Sequence, residues 1–246
     1  MIAPALSRFP EPVPWQLVVA AVDDVTPHMR RIQLTSPDLD HFAYLPGQDL
    51  SLGFRRPDGT AIRRRYTIRR FDRQHRLIEL NILLHGDGPG MRWAQAVKPG
   101  DAIDAIGPRG KVTPVEDADW HLFAGDATAV PGALAMMEAL ATSVPARAFL
   151  EVDGPEERQP LETTGAKDSQ WHYETSDSLA LAALLSQAAL PEGRGHAYLA
   201  GEVALVRAMK AALIDRGWTA EQISPKAYWN RGQANAGNGE PEQRAR

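Results

Sequence analysis

The chain has 246 residues, no cysteine, and a formal net charge of −4 from 27 Lys and Arg against 31 Asp and Glu. That length suits one large domain or two small ones. The slightly acidic balance argues against a nucleic-acid or membrane-surface role, and the missing cysteines exclude disulfides, thiolate metal centres, iron–sulfur clusters and a cysteine nucleophile.

The N-terminal MIAPALSRFPEPVP lacks the basic-then-apolar pattern of a signal peptide. No run approaches the roughly 18 apolar residues that a bilayer span needs. The expectation is a soluble, cytoplasmic protein without membrane insertion, and a monomer. The segment WQLVVAAVDDVTPHMRRIQLTSP reads as two β-rich runs separated by the Asp-Asp and Thr-Pro turn signals. LPGQDLSLGF, AIRRRYTIRRF and RLIELNILLH continue the series, with turns at RPDGT and the glycine-rich HGDGPG. Short strands at regular spacing predict an antiparallel barrel or sandwich. At MRWAQAVKPGD the period changes: Met91, Ala94 and Val97 predict a short helix ended by Pro99-Gly100. AIDAIGPRG returns to strand.

From Trp120 the texture is different. WHLFAGDATAVPGALAMMEALAT reads as a buried strand, a Gly-Asp turn and a helix. RAFLEVDG is a second strand, LALAALLSQAAL a helical run, and HAYLAGEVALVRAMKAALIDRGW repeats strand, glycine turn and helix. This alternation predicts a parallel sheet covered by helices, so the fold class is a β-barrel followed by an α/β domain. The boundary is expected near residues 112–119. The polar tail, 233–246, is expected to be disordered.

Positive charge is concentrated in one place. Between Arg55 and Arg76 there are nine arginines against two aspartates. On a regular strand, Tyr66, Ile68 and Arg70 share one face and Thr67 and Arg69 the other. The pattern fits either a solvated arginine strand or a polyanion site, where guanidinium forks pair with phosphate and Tyr and Thr add hydrogen bonds. HGDGPG lies between a strand and a helix, so its glycines allow close backbone approach and the helix N-terminus offers N–H groups to a phosphate. GDATAVPGA, at 125–133, is not a GxGxxG fingerprint. It is either a plain turn capped by Asp126 or Thr128, or, with the similar Gly201-Glu202 turn, a nucleotide edge. His85 has no spaced partner set, so a hydrogen-bonding or structural role is expected and no metal site.

These motifs, taken in order across residues 15–232, resemble the siderophore-interacting proteins, a branch of the ferredoxin–NADP⁺ reductase-like flavoproteins. RRYTIRR, LHGDGPGMRWA, GDAIDAIGPRG, AGDATAVPGALAMMEAL, YLAGEVALVRAMKAAL and YWNRG carry the likeness. The resemblance implies an FAD-binding barrel over residues 1–115 and an NAD(P)H-binding α/β domain over 116–232. It implies reduction of a ferric siderophore with NADPH or NADH as donor. A flavin reductase serving a protein or free-flavin acceptor, and a siderophore-binding module without redox activity, are the alternatives. Carried over by position, Tyr66 and Thr67 are expected at the redox-active ring. Arg64, Ile68, Arg69, His85, Gly86, Gly88, Pro89, Gly90, Met91 and Trp93 are expected to hold the flavin nucleotide. Gly125, Asp126, Thr128, Pro131, Gly201 and Glu202 are expected at the flavin–nicotinamide interface. Arg55, Arg56 and Arg63 are expected to meet the anionic iron chelate, with Arg65 and Arg70 adding to a basic mouth. Arg158 is the candidate for a 2′-phosphate. Two positions depart from the family pattern: Gly90 stands where Ala is usual, and Ala227-Tyr228-Trp229-Asn230 where Gly-Tyr-Trp-Arg is common.

Overall fold

The computed structural model describes residues 9–232 except 57, 87, 164 and 176. The expected disordered tail and the first eight residues lie outside the described residues.

Six antiparallel strands close a barrel in the order β1-β2-β5-β4-β3-β6. They are β1 (Val13–Thr26), β2 (Met29–Thr35), β3 (Asp49–Arg55), β4 (Ala61–Asp72), β5 (Leu77–Leu83) and β6 (Ala102–Arg109), with α1 (Pro89–Ala96) between β5 and β6. Alternate positions fill the interior: Ile32 and Leu34 of β2, Leu50 and Leu52 of β3, and Ile78 and Leu80 of β5 are fully buried. The Asp-Asp pair expected to be a turn lies inside β1 instead. Asp23 and Asp24 stand opposite Arg31 and Arg30 of β2 and pair with them at 2.5 and 2.8 Å. Cross-strand charge pairing makes the dipeptide compatible with a strand, and the turn falls one step later, at Pro27-His28.

A parallel sheet follows in the order β11-β10-β7-β8-β9. Its elements are β7 (Trp120–Gly125), α2 (Val130–Ala139), β8 (Ala146–Val152), β9 (Lys167–Tyr173), α3 (Ala180–Gln187), β10 (Gly195–Glu202), α4 (Val203–Asp215) and β11 (Ile223–Trp229). The helices cover both faces. Leu122, Phe149 and Leu199 pack against α3 and α4, while Phe123, Leu150 and Tyr198 pack on the α2 side. The strand order reverses between β7 and β10, which is where open parallel sheets bind ligands.

Arg69, Lys226 and Glu157 make polar contacts that join barrel to sheet. The Arg69 guanidinium grips Glu138 of α2 with both forks, at 2.6 and 2.7 Å. Lys226 of β11 donates to Asp49 of β3 at 3.0 Å and to the Gly47 carbonyl at 3.3 Å. Buried Glu157 accepts the Thr26 hydroxyl and, at 3.0 Å, the His28 N–H of the β1–β2 turn. Among the described residues no helix is long and apolar enough to cross a membrane.

Candidate functional site: a cleft between barrel and sheet

The β4 ribbon supplies the barrel wall. Tyr66 is partly buried against the barrel core, and burial pushes its phenol up to about 12, opposed by Arg64. At neutral pH it is therefore a hydrogen-bond donor and not a phenolate. Thr67 turns to the cleft. Ile68, expected to touch the nucleotide, is fully buried in the barrel, and its N–H is bonded to the Gln48 carbonyl; it is a core residue. The simple alternation breaks just beyond it. Ile68 stands opposite Leu80 and Arg70 opposite Glu79, so Arg69 is the extra residue of a bulge. Arg70 consequently leaves the inner face, sits exposed and pairs with Glu162 at 2.5 Å, and Phe71 packs on the core in its place. Arg69, 7% exposed, is consumed by Glu138. That bidentate pair occupies the fork expected to hold the flavin nucleotide.

The glycine segment supplies the floor. Gly86 has φ of +74°, which a side chain would strain. A Cβ at Gly86 or Gly88 would meet nothing within 4 Å, so the backbone is open to approach there. Gly88 caps α1 without a side-chain hydrogen bond, and Pro89 opens the helix. The Gly90 and Met91 N–H groups, in the first helical turn, have no intrahelical acceptor. No acidic side chain sits in that turn. The Arg64 stem lies 3.5 Å from where a Gly90 Cβ would be, which brings a cation beside these donors. Uncapped N–H groups, a guanidinium and a phenol donor together suit a diphosphate. Trp93 tilts over Phe54 at 5.6 Å, closing the outer side of α1.

The sheet edge supplies the roof. Asp126 is an organiser of the strand ends. It accepts from the Thr128 N–H at 2.9 Å and the Thr128 hydroxyl at 2.5 Å, from the Glu202 N–H at 2.7 Å and from the Trp229 indole at 2.9 Å. Gly201, with φ of +130°, lets the carboxylate in: a Cβ there would lie 2.5 Å from the Asp126 oxygen. Glu202 caps α4 through Leu205 N at 3.0 Å and receives the Arg231 N–H at 3.2 Å. Asp126 and Glu202 therefore fix the loops in place. Pro131 opens α2, whose N-cap, Ala129, makes no side-chain bond. Gly132 beside it would place a Cβ 3.4 Å from the Thr67 methyl and 3.6 Å from the Tyr228 hydroxyl.

Residues from β11 complete the cleft, and the strand-by-strand reading gave them no place in the site. The Tyr228 hydroxyl lies 3.3 Å from Thr67 Oγ1 across the two lobes. Trp229 tilts against His85 at 5.4 Å. Lys226 is buried below them, with its ammonium 5.5 Å from the Tyr228 ring. Burial pulls its pKa down, but Tyr228 and Asp49 outweigh it and leave the group raised, a lysine that stays charged.

The siderophore-interacting FAD-binding domain model matches residues 55–112, and the siderophore-interacting protein model matches residues 118–232. Ferric vibriobactin reductase ViuB of Vibrio cholerae is 31% identical over 182 residues, 72% of this chain and 67% of that protein. The chain belongs to the siderophore-interacting protein family. Solved members superimpose closely. A siderophore utilization protein from T. fusca has a TM-score of 0.84 at 28% identity, covering 94% of this chain and 98% of that one. The siderophore-interacting protein SipS of Aeromonas hydrophila has a TM-score of 0.79 at 29% identity, covering 89% and 92%. A ferredoxin NADP⁺ reductase from Neisseria gonorrhoeae, 17% identical with a TM-score of 0.71 over 88% of this chain and 99% of that one, shares the fold.

Within this siderophore-interacting protein the arginine cluster divides in two. Arg65 is tied to Asp49 at 2.7 Å, Arg70 to Glu162, Arg73 to the Asp40 and Phe42 carbonyls, and Arg76 to Asp40 at 3.4 Å. Much of the charge thus serves internal pairing and not an anion patch. Arg63 donates to the Ser51 carbonyl at 2.7 Å and Arg55 to the Gly59 carbonyl at 3.3 Å. Thr67 stands opposite Asp49 at one end of the β3–β4 ribbon and Ala61 opposite Arg55 at the other. At ~3.3 Å per residue, that separates the Arg55–Arg56 tip from Thr67 by about 20 Å. The structure does not bring these two expected substrate arginines to the Thr67 end of the cleft, because the hairpin carries them along the barrel. Arg55 instead borders a cavity of about 390 Å³ with Phe54, Pro89, Trp93 and Asp104. Gly90 is explained by its neighbour: the Tyr66 hydroxyl occupies the space where an alanine methyl would stand.

Proposed function

We propose that this protein reduces ferric siderophores with electrons drawn from a pyridine nucleotide through FAD, releasing Fe(II). The observation that carries the reading is a convergence within a siderophore-interacting chain. The Tyr66–Thr67 ribbon, the uncapped N-terminus of α1 and the carboxyl ends of β7 and β10 face one cleft. The similarity to a ferric vibriobactin reductase supports the substrate class. In this reading residues 1–115 form the flavin lobe and 116–232 the nicotinamide lobe.

FAD would supply the exchange between two-electron hydride chemistry and one-electron transfer. The chain's own residues bind and orient. Arg64 and the N–H groups of Gly90 and Met91 would hold the diphosphate, with Gly86 and Gly88 giving room. The neutral Tyr66 phenol donates a hydrogen bond, and Thr67 and Tyr228 line the ring end. Gly125, Gly132 and Gly201 let Ala200, Thr67 and Asp126 approach closely, which sets the packing of the roof. One hydride leaves NAD(P)⁺ and a proton, and its two electrons reduce two Fe(III) centres. The lower charge of Fe(II) weakens its hold on hard oxygen donors, so reduction releases the metal. No side chain has to move a proton to the iron complex.

The test is anaerobic turnover of the FAD-loaded protein with a ferric catecholate, trapping Fe(II) with a chromogenic chelator. Fe(II) formation that requires the nucleotide, and that falls in Arg64→Ala and Thr67→Ala, is the expected result. Nucleotide oxidation that leaves the chelate ferric would overturn the assignment.

A further inference from the structure

The carboxyl ends of β8 and β9 carry an unusual group. Glu151, the penultimate residue of β8, is 8% exposed, and no hydrogen bond reaches its carboxylate from any described residue. Its position is set by the sheet. Leu150 stands opposite Gly125 of β7 and Glu151 opposite His172 of β9. Leu150 and Val152 belong to the α2 side, and Phe149 packs on the side of α3 and α4, so alternation turns Glu151 away from α2. The charged groups that act on it are Glu174 after β9, Asp126 after β7, Asp177 before α3 and Arg231 after β11, and His172, whose pKa burial lowers, stands opposite it on β9. Burial, then Glu174, Asp126 and Asp177, push its carboxyl up to about 7, and Arg231 offsets only part of this.

The carboxylate has no donor among the described residues and is not sealed from solvent, so a ligand hydroxyl can reach it and supply one. The location indicates which hydroxyl. In nucleotide-binding parallel sheets, an acidic residue some 20 positions past the first strand's glycine turn accepts the ribose 2′-hydroxyl of NADH, and an arginine there accommodates the 2′-phosphate of NADPH. Glu151 follows Gly125 by 26 positions and lies one residue before the end of the second strand of the unit. The cations nearby are turned to other work. The Arg158 guanidinium lies over the Tyr173 ring at 5.2 Å, and that of Arg231 lies 5.7 Å from the Trp229 ring. Glu174 and Asp177 stand exposed at the same edge.

We infer that Glu151 makes this protein selective for NADH: its carboxylate accepts the adenosine ribose 2′-hydroxyl, and Glu174 and Asp177 repel a 2′-phosphate. The inference rests on the nucleotide-dependent reading above and deepens it. It separates from that reading when binding is measured apart from turnover. ADP-ribose and 2′-phospho-ADP-ribose are titrated calorimetrically into the flavin-loaded full chain and its Glu151→Gln variant. The expected result is ADP-ribose binding tighter by on the order of tenfold. The variant, checked for an unchanged circular dichroism spectrum, should bring the two ligands within about threefold. Equal binding, or tighter binding of the 2′-phosphate by the wild type, overturns the inference and leaves the nucleotide site standing, with Arg158 as its phosphate partner. A preference that survives in Glu151→Gln overturns the assignment to this residue; the wild-type comparison stands even if the variant does not fold. Binding of neither ligand overturns the nucleotide-dependent reading as well.

Discussion

Truncating Glu138 to alanine would strand a guanidinium that the fold has taken out of water. Arg69 is 7% exposed and its two terminal nitrogens both end on Glu138. Losing one member of a buried pair costs about 3–5 kcal/mol. The lower end applies here, because the Glu138 side chain is 13% exposed and the Glu162 carboxylate lies close enough to interact with Arg69. At roughly 2–4 °C per kcal/mol for a chain of this size, about 3 kcal/mol lowers the melting temperature by about 6–12 °C. Arg69→Met should do the same, and the double change Arg69→Met with Glu138→Leu should recover most of the loss, since an apolar pair of similar volume replaces a buried ion pair at little cost. The assay is thermal unfolding followed by circular dichroism, paired with FAD titration by flavin fluorescence. If Arg69 instead holds the flavin nucleotide, as its place in the motif suggests, Arg69→Met weakens FAD binding, Glu138→Ala does not, and the double variant recovers nothing. Melting temperatures within about 2 °C of wild type for both single variants would refute the bracing role.

Gly90→Ala should destabilise by about 1–3 kcal/mol through overpacking on the Tyr66 hydroxyl, and Tyr66→Phe in the same chain should restore most of it, both read by urea unfolding. For Glu151 the sign is fixed by its raised pKa: the folded state holds the proton more tightly, so its stabilising contribution is present below pH ~4.5 and lost as pH rises through about 7. Glu151→Gln should therefore be more stable than wild type at pH 8, by on the order of 2 kcal/mol, and the gap should close by pH 5; a gap independent of pH would contradict this. Lys226→Met should cost about 2–3 kcal/mol by leaving buried Asp49 with Arg65 as its remaining cation, and a further Asp49→Asn change should cost little more, which a double-mutant cycle in urea would measure.

Much of the barrel and of the cleft floor was readable because turns and alternation are local signals. HGDGPG announced a backbone-lined approach, and its open glycines and uncapped helix fit that reading. What escaped depends on pairing between distant segments. The Asp23-Asp24 dipeptide reads as a turn until Arg30 and Arg31 stand opposite it. Arg69 reads as a phosphate ligand until the bulge aims it at Glu138, 69 positions later. The strands β9 and β11 were not marked out. KDSQWHY has almost no apolar run, and ISPKAYW carries a proline, which is compatible with an edge strand alone. That omission hid Lys226, and left Tyr228 and Trp229 as parts of the YWNRG motif with no strand to place them.

The contacts made by Arg69, Lys226 and Glu157 fasten the two lobes on separate sides of the same cleft. A body bolted at several corners does not swing on a hinge. Passage through the cleft then falls to the side chains at its lip, Tyr228 and Trp229, whose turning means releasing Thr67 and Asp126. Rotation of single aromatic rings is far quicker than the microsecond-to-millisecond swing of whole domains.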